Sequence, residues 1–321
     1  MAATMTTTLN YSGILYTKTD ESTRFLDAIY QRGKGGGIRK TRSIEFVLSS
    51  GYDMDDPTQP GISETASMTA PTPETTERDQ EYNVVQIYQR SVKVSYLKQQ
   101  NVDMLAGVNN ANQQNNIPNE LDFQIGRRIA QMRMDLNFSL LNGAFQYTKG
   151  SVTVAPKSRG LRNAIVTNKF DADDKALKKA IINDALMQMI ANGADPTALE
   201  IWVNPAMLDV ITDCYALIPG SALPATRTEG GIAYNQILTP YAPLNIEWEP
   251  NVPSGEIVLV NMGQMAVAEM DYIDENGVNY GALFYERLAK TGAAESGQVY
   301  GTLGCDYAAE WHHGRIHGIK V

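Results

Sequence analysis

Residues 41–97 read TRSIEFVLSSGYDMDDPTQPGISETASMTAPTPETTERDQEYNVVQIYQRSVKVSYL, and the way this stretch folds decides the architecture. In Ser43-Ile-Glu-Phe-Val-Leu-Ser49 the apolar Ile44, Phe46 and Leu48 fall on one face of an extended strand. From Tyr82 to Leu97 the residues Tyr82, Val84, Tyr88, Val92, Val94 and Tyr96 share even positions. The interval between the two runs carries Pro57, Pro60, Pro71 and Pro73 and almost no large apolar residue. This pattern predicts one long two-stranded arm with a polar tip. Strands usually run about 3–10 residues, whereas sixteen extended residues reach about 50 Å, more than the width of a small domain. An apolar face on such an arm lacks a local partner, so a neighbouring copy of the chain is expected to cover it. The expectation is assembly rather than catalysis.

Upstream, residues 1–40 read as a lead-in arm in which Glu21 to Tyr30 forms a short helix with Phe25, Leu26 and Ile29 on one side. Gly33-Lys34-Gly35-Gly36-Gly37 ends it. A phosphate-binding loop needs Lys after the glycines and a helix after the Lys. Here Lys34 precedes the run of glycines and a strand follows, so a flexible hinge is expected instead. Arg32, Lys34, Arg39, Lys40 and Arg42 make this segment basic, while the loop that follows holds Glu45, Asp53, Asp55, Asp56, Glu64, Glu74, Glu77, Asp79 and Glu81. Opposite charges in adjacent segments fit pairing across neighbouring subunits, and equally a solvated charge run.

Downstream lies the strongest helix, 119–142. Asn119 stands as N-cap, Glu120 and Asp122 occupy the first turn, and Leu121, Ile125, Ile129, Met132, Leu136 and Leu140 recur at three- and four-residue spacing. A second helix is expected over 173–192, a strand at Leu199–Val203 and a helix from Asn204-Pro205 to about Tyr215. Residues 216–243 read as a punctuated loop. Strands follow at 245–249, 256–260, 265–270 and 282–287, and Gly297 to Val321 closes the chain with one or two more. The mixture indicates an α+β or α/β chain.

Composition narrows the function. The 321 residues are 43% hydrophobic and carry a net charge of −9, which disfavours a broad nucleic-acid-binding surface. Cys214 and Cys305 lie far apart with no C-x-x-C pair, so no disulfide framework is expected. The N-terminus has neither a charged leader nor an apolar core and is not expected to be a signal peptide. No apolar run is long enough for a bilayer, so no membrane is expected as a partner. His312, His313 and His317, near Cys305, Asp306 and Glu310, invite a metal reading, but the spacing matches no metal motif and strand histidines are expected. There is no G-x-S-x-G and no thiol with a histidine base at a telling distance. Neither an enzyme, nor a catalytic site, nor a cofactor or metal is therefore expected.

The order of parts resembles the major capsid protein of tailed bacteriophages, the Hong Kong 97-type fold. Several stretches resemble the SU-ten-like major head proteins. These are Phe25-Leu-Asp-Ala-Ile29 with the following glycine turn, Arg90 to Val102, the long helix through Leu140-Leu-Asn142, Ser158 to Ile165, and Leu288 to Gly304. The resemblance implies an N-arm (1–40), an extended loop (41–97), a peripheral domain (98–170) including a spine helix (119–142), an axial domain (171–281) and a return to the peripheral domain (282–321). It implies a homo-oligomer of hexamers and pentamers forming an icosahedral head around non-specifically packaged DNA, found in the virion and assembled in the host bacterial cytoplasm. Only about 40 residues precede the loop, so scaffolding is expected from a separate protein, and portal and decoration proteins are further partners that the resemblance implies. No lysine lies between Lys40 and Lys93, so the family's loop-lysine cross-link is not expected. The inter-subunit contacts expected from this reading are Ile44, Phe46, Leu48, Val84, Tyr88 and Val92, with Arg32, Lys34, Arg39 and Lys40 facing Asp53, Asp55 and Asp56. Two alternatives stand beside it: an encapsulin-like nanocompartment shell, and an α/β enzyme whose site the sequence does not reveal.

Overall fold

The computed structural model describes residues 22–52, 57–71, 75–76, 78–100, 120–216, 225–229 and 232–320. The described chain opens with helix α1 (Arg24–Arg32) and a short strand β1 (Ile38–Lys40). Strands β2 (Glu45–Tyr52) and β3 (Arg78–Val84) form the arm, with one helical turn, α2 (Glu64–Ser67), near its tip. Next come β4 (Gln86–Ser95), α3 (Tyr96–Gln100), the long helix α4 (Glu120–Asn142) and α5 (Leu161–Ala164). The second half holds β5 (Lys169–Ala176), α6 (Lys179–Ala191), β6 (Leu199–Val203), α7 (Pro205–Ala216), β7 (Ala225–Glu229), β8 (Ile232–Leu238) and β9 (Pro243–Trp248). It ends with β10 (Ile257–Asn261), β11 (Ala266–Glu269), β12 (Tyr272–Ile273), β13 (Asn279–Gly281), β14 (Leu283–Arg287), β15 (Ala294–Asp306) and β16 (Gly314–Lys320).

Two sheets organise these elements. The first is built around β15, which pairs antiparallel with β4 along one edge and with β14 and β11 end to end along the other; β1 adds in parallel beside β11. The second runs in the order β5-β16-β10-β6-β9-β8-β7 and mixes parallel with antiparallel neighbours. In Ile257-Val-Leu-Val260 every residue is fully buried, because successive side chains enter opposite cores. Val258 and Val260 join the core that holds α1, α4 and the first sheet. Ile257 and Leu259 join the core beneath α6 and α7, with Ile182, Leu186 and Met207. Helix α4, 23 residues and about 35 Å long, lays Met132, Leu136, Leu140 and Leu141 into the first core.

Several expectations change against this architecture. The stretch 82–97 is not one arm strand. It breaks at Val85, whose N–H donates to the Ile44 carbonyl, and from Gln86 on it belongs to the body, where β15 offers a ladder from Gln86↔Leu303 to Ser95↔Ala294. The helix expected from 173 begins at Lys179; residues 169–176 are a strand held parallel to β16. The 216–243 loop contains the hairpin β7–β8. The glycine cluster forms a turn that is tightly packed at Gly37 and open at Gly36. Gly35, Gly36 and Gly37 all have positive φ, and a Cβ on Gly37 would lie 2.3 Å from the Ile29 carbonyl oxygen.

Candidate functional site

The arm has a root and a tip, and they differ in every physical respect. The root is fixed on the chain's own body. Asn83, fully buried, uses its side-chain Nδ2 to donate to the carbonyls of Cys305 (2.7 Å) and Arg159 (3.0 Å), while its Oδ1 accepts from the N–H groups of Arg159 and Val84. Beside it, the hydroxyl of Tyr307 and the guanidinium of Arg159 both donate to Oε1 of Glu81, at 2.8 and 3.0 Å. Burial pushes the Glu81 carboxyl above its ordinary range, against the opposing pull of these two donors. Phe46 and Leu48 turn into the first core. Gly304 of β15 lets the arm approach so closely that a Cβ there would lie 2.8 Å from the Val84 carbonyl oxygen.

Among the described residues of the tip no such contacts are found. All of residues 57–71 are exposed, and Ile62 and Met68 stand 73% and 78% open to solvent. The hydrogen bonds of this segment are local: Ser63 caps α2 through the Ala66 N–H, and the Ser67 hydroxyl donates to the Glu64 carbonyl. Tyr82, on the outer side of β3, is 42% exposed.

The residues expected to meet a neighbour therefore divide. Phe46, Leu48, Val84, Tyr88 and Val92 are buried within their own chain, at 1–7% exposure. This corrects the expectation: β15 and α4 supply the cover that the sequence assigned to another copy. Ile44 alone of that group remains 45% exposed. The basic residues also find partners at home. Arg32 pairs with Glu200, Arg39 with Asp306, and Lys40 with Glu269 and Asp271. Lys34 is exposed. Asp53, Asp55 and Asp56 lie outside the described residues. Nothing in the sequence marked Asn83; a polar residue amid Tyr82, Val84 and Val85 was the one available sign.

Other chemistry-bearing residues serve the fold. His313 is fully buried: Nδ1 accepts from the Asn261 N–H and Nε2 donates to the Tyr307 carbonyl. Burial brings its pKa down to about 4. His317 faces Asp171 at 3.6 Å. Among the described residues no group of His, Cys, Asp or Glu could hold a metal ion. Cys305 is buried, its thiol pushed up by that burial, and Cys214 is half-buried; both are free thiols. No described helix is long and apolar enough to cross a membrane.

The described chain is thus a body of two sheets and a long helix that carries an arm rooted on it. The family model of the SU10 major capsid protein matches residues 1–320. The chain belongs to the SU10 major capsid protein family. It is thus a structural major capsid protein, one of many copies in a shell, and its place is the virion. Solved structures agree on the Hong Kong 97-type fold. The chain is similar to the capsid protein of cyanophage A-1(L), with a TM-score of 0.61 and 12% identity over 98% of both chains. It is similar to the SrpI encapsulin of Synechococcus elongatus, with a TM-score of 0.60 and 12% identity over 99% of this chain and 92% of that one. It is also similar to the capsid of a native GTA particle, with a TM-score of 0.56 and 14% identity over 98% and 95%. No curated protein matches it. The encapsulin is one relative in fold, and the capsid family covers the capsid protein from end to end.

Proposed function

We propose that this capsid protein closes into hexamers and pentamers that tile an icosahedral phage head around a DNA genome. In this reading α6 and α7 with strands β6 to β10 of the second sheet make up most of the axial domain, 171–281, and β16 joins that sheet from the returning segment. The peripheral domain, 98–170 and 282–321, carries α4 as its spine. The arm reaches from a fixed root to a neighbouring copy, and Ile62, Met68, Ile44 and Tyr82 supply its apolar contact. Burial stabilises each contact by roughly 25 cal/mol per Å² of apolar surface, less the cost of ordering the partners. Repetition around a closed ring turns several modest contacts into one stable shell. The clasp is non-covalent. Scaffolding, portal and decoration functions belong to separate proteins, assembly takes place in the host bacterial cytoplasm, and the protein carries out no catalysis.

The single observation that supports this most directly is the exposed stretch 57–71 on an arm whose root is hydrogen-bonded to the body. Size-exclusion chromatography and negative-stain microscopy of the purified full chain test it. Ring-shaped capsomers or megadalton shells are expected; a clean monomer or dimer at all concentrations would contradict it.

A further inference from the structure

We infer that α1 is the clamp that sets the angle between the second sheet and α4, and hence the curvature each copy contributes; this rests on the proposed shell assembly. The start of a helix leaves N–H groups that need acceptors from outside. Thr23, at the N-cap, makes no side-chain cap hydrogen bond; its hydroxyl donates to Asp27 instead. Two distant parts of the chain supply the acceptors. Glu249, just beyond β9, takes the N–H of Phe25 on Oε2 at 3.2 Å. Asn137, on α4, takes the N–H of Leu26 on Oδ1 at 2.9 Å. Both side chains are fully buried.

The rest of α1 repeats this division. Towards the second sheet, Phe25 sets its ring edge-on to Trp202 at 5.1 Å, the Arg24 guanidinium lies 3.6 Å from the Trp248 ring, and Arg32 spans Glu200 at 3.0 Å and Glu247 at 3.8 Å. Towards the first unit, Asp27 pairs with Arg133 of α4 at 2.6 Å, and the Lys34 N–H donates to the Met265 carbonyl. One helix is therefore held by both units at both ends. Asn137 is informative for a second reason. Its Nδ2 is buried with no hydrogen-bond partner among the described residues, an arrangement that lowers stability. An apolar residue would fill that place in the core better, and among the described residues the bond from the Leu26 N–H to Oδ1 at the α1 terminus is what favours an amide there.

The test compares full-length wild type with Glu249→Gln, Asn137→Ser and Arg32→Gln, by amide exchange on unassembled subunits and by the diameter distribution of assembled shells. Glu249→Gln, which keeps a carbonyl acceptor but weakens it and places an amide NH2 in the same buried site, should lower protection at Phe25 by about tenfold and should broaden the diameters. Arg32→Gln, at a partly exposed side chain that leaves the cores intact, should broaden them too and carries the test if a buried variant fails to fold. Arg287→Gln, which removes only an exposed ion pair to Glu295, should leave both readouts unchanged. Variant shells as uniform as wild type, or full protection at Phe25 in Glu249→Gln, overturn the clamp while the shell reading stands. Wild-type protein that never forms shells overturns that reading and the curvature role together.

Discussion

The side-chain amide of Asn83 donates to the carbonyl oxygen of Cys305 at 2.7 Å, joining the arm to the central strand of the first sheet. With its three further hydrogen bonds it leaves none of the local backbone groups it meets unsatisfied. Asn83→Ala removes all four and strands buried donors and acceptors, each costing about 1–3 kcal/mol. Loss of roughly 3 kcal/mol or more of subunit stability is expected in urea unfolding. A loss below about 1 kcal/mol would mean that the root is held by its apolar contacts alone.

Glycine positions distinguish a packed turn from a hinge. Gly36 and Gly37 share a positive φ, but a Cβ on Gly36 meets nothing, whereas one on Gly37 collides with backbone of Ile29 and Tyr30. Gly36→Ala should cost about 1 kcal/mol, the left-handed backbone penalty. Gly37→Ala should cost several times more, since backbone cannot step aside. Equal melting temperatures for the two variants would restore the hinge.

His313 makes stability depend on pH in one direction. Its folded pKa, about 4, lies below the unfolded value of about 6.5. The unfolded chain therefore binds the extra proton first, and stability falls as pH drops from about 6.5 towards 4. The full difference is about 3 kcal/mol. Glu256 adds to the loss at lower pH. Burial raises its pKa, but the guanidiniums of Arg315 and Arg162 outweigh burial and hold it below the ordinary carboxylate range. Its contribution is present above the ordinary carboxylate pKa and is lost as pH falls through the depressed value. Urea unfolding from pH 8 to 4 should show a plateau and then a decline below about 6.5. The first part of that decline should be absent from His313→Gln; a decline that survives in the variant assigns it elsewhere.

Much of this protein could be read from its sequence, for reasons that differ by element. Helix α4 was legible because its apolar spacing, first-turn acids and Asn-Gly terminus all agree. Strand β10 was legible because a short run of β-branched residues and Leu fits only a strand buried on both faces. The arm was half legible: alternation located its strands, but alternation does not say what covers a face. Val84, Tyr88 and Val92 look alike whether β15 and α4 or another chain shelters them. The partner that decided it, Gly297 to Gly304, lies some two hundred residues away in the sequence. Asn83, Glu249 and Asn137 were invisible for the same reason, since a buried polar residue is recognised only by the distant groups it satisfies.

Arg162, Glu256 and Arg315 join α5 to the second sheet through a compact ion cluster. Arg315 grips the Glu256 carboxylate with Nη2 at 2.7 Å and Nε at 3.0 Å, and Arg162 adds Nη2 at 2.7 Å, all three side chains being 12–16% exposed. Glu256→Gln leaves two nearly buried guanidiniums facing each other with no counter-charge, and should cost about 3–5 kcal/mol. Glu256→Gln combined with Arg162→Met should recover part of that loss, because it removes one of the stranded charges. Denaturation of the three proteins in parallel checks the order; a double variant less stable than the single one would show that the cluster works by hydrogen bonding to Asn142 and Arg162 backbone instead.

The tip supplies the prediction that separates folding from assembly. Ile62 and Met68 are the two most exposed large side chains among the described residues of the arm. Ile62→Asp with Met68→Asp should therefore leave subunit stability within about 0.5 kcal/mol of wild type, as for surface positions generally. Assembly should suffer, because the same change places two charges where an apolar contact with a neighbour is proposed. Light scattering under assembly conditions should show a markedly higher critical concentration. Amide exchange should agree, with residues 57–71 unprotected in free subunits and protected in shells. Wild-type assembly by the double variant, or equal exchange in both states, would remove the tip from the interface and leave Ile44 and Tyr82 near the root as the arm's remaining apolar contacts.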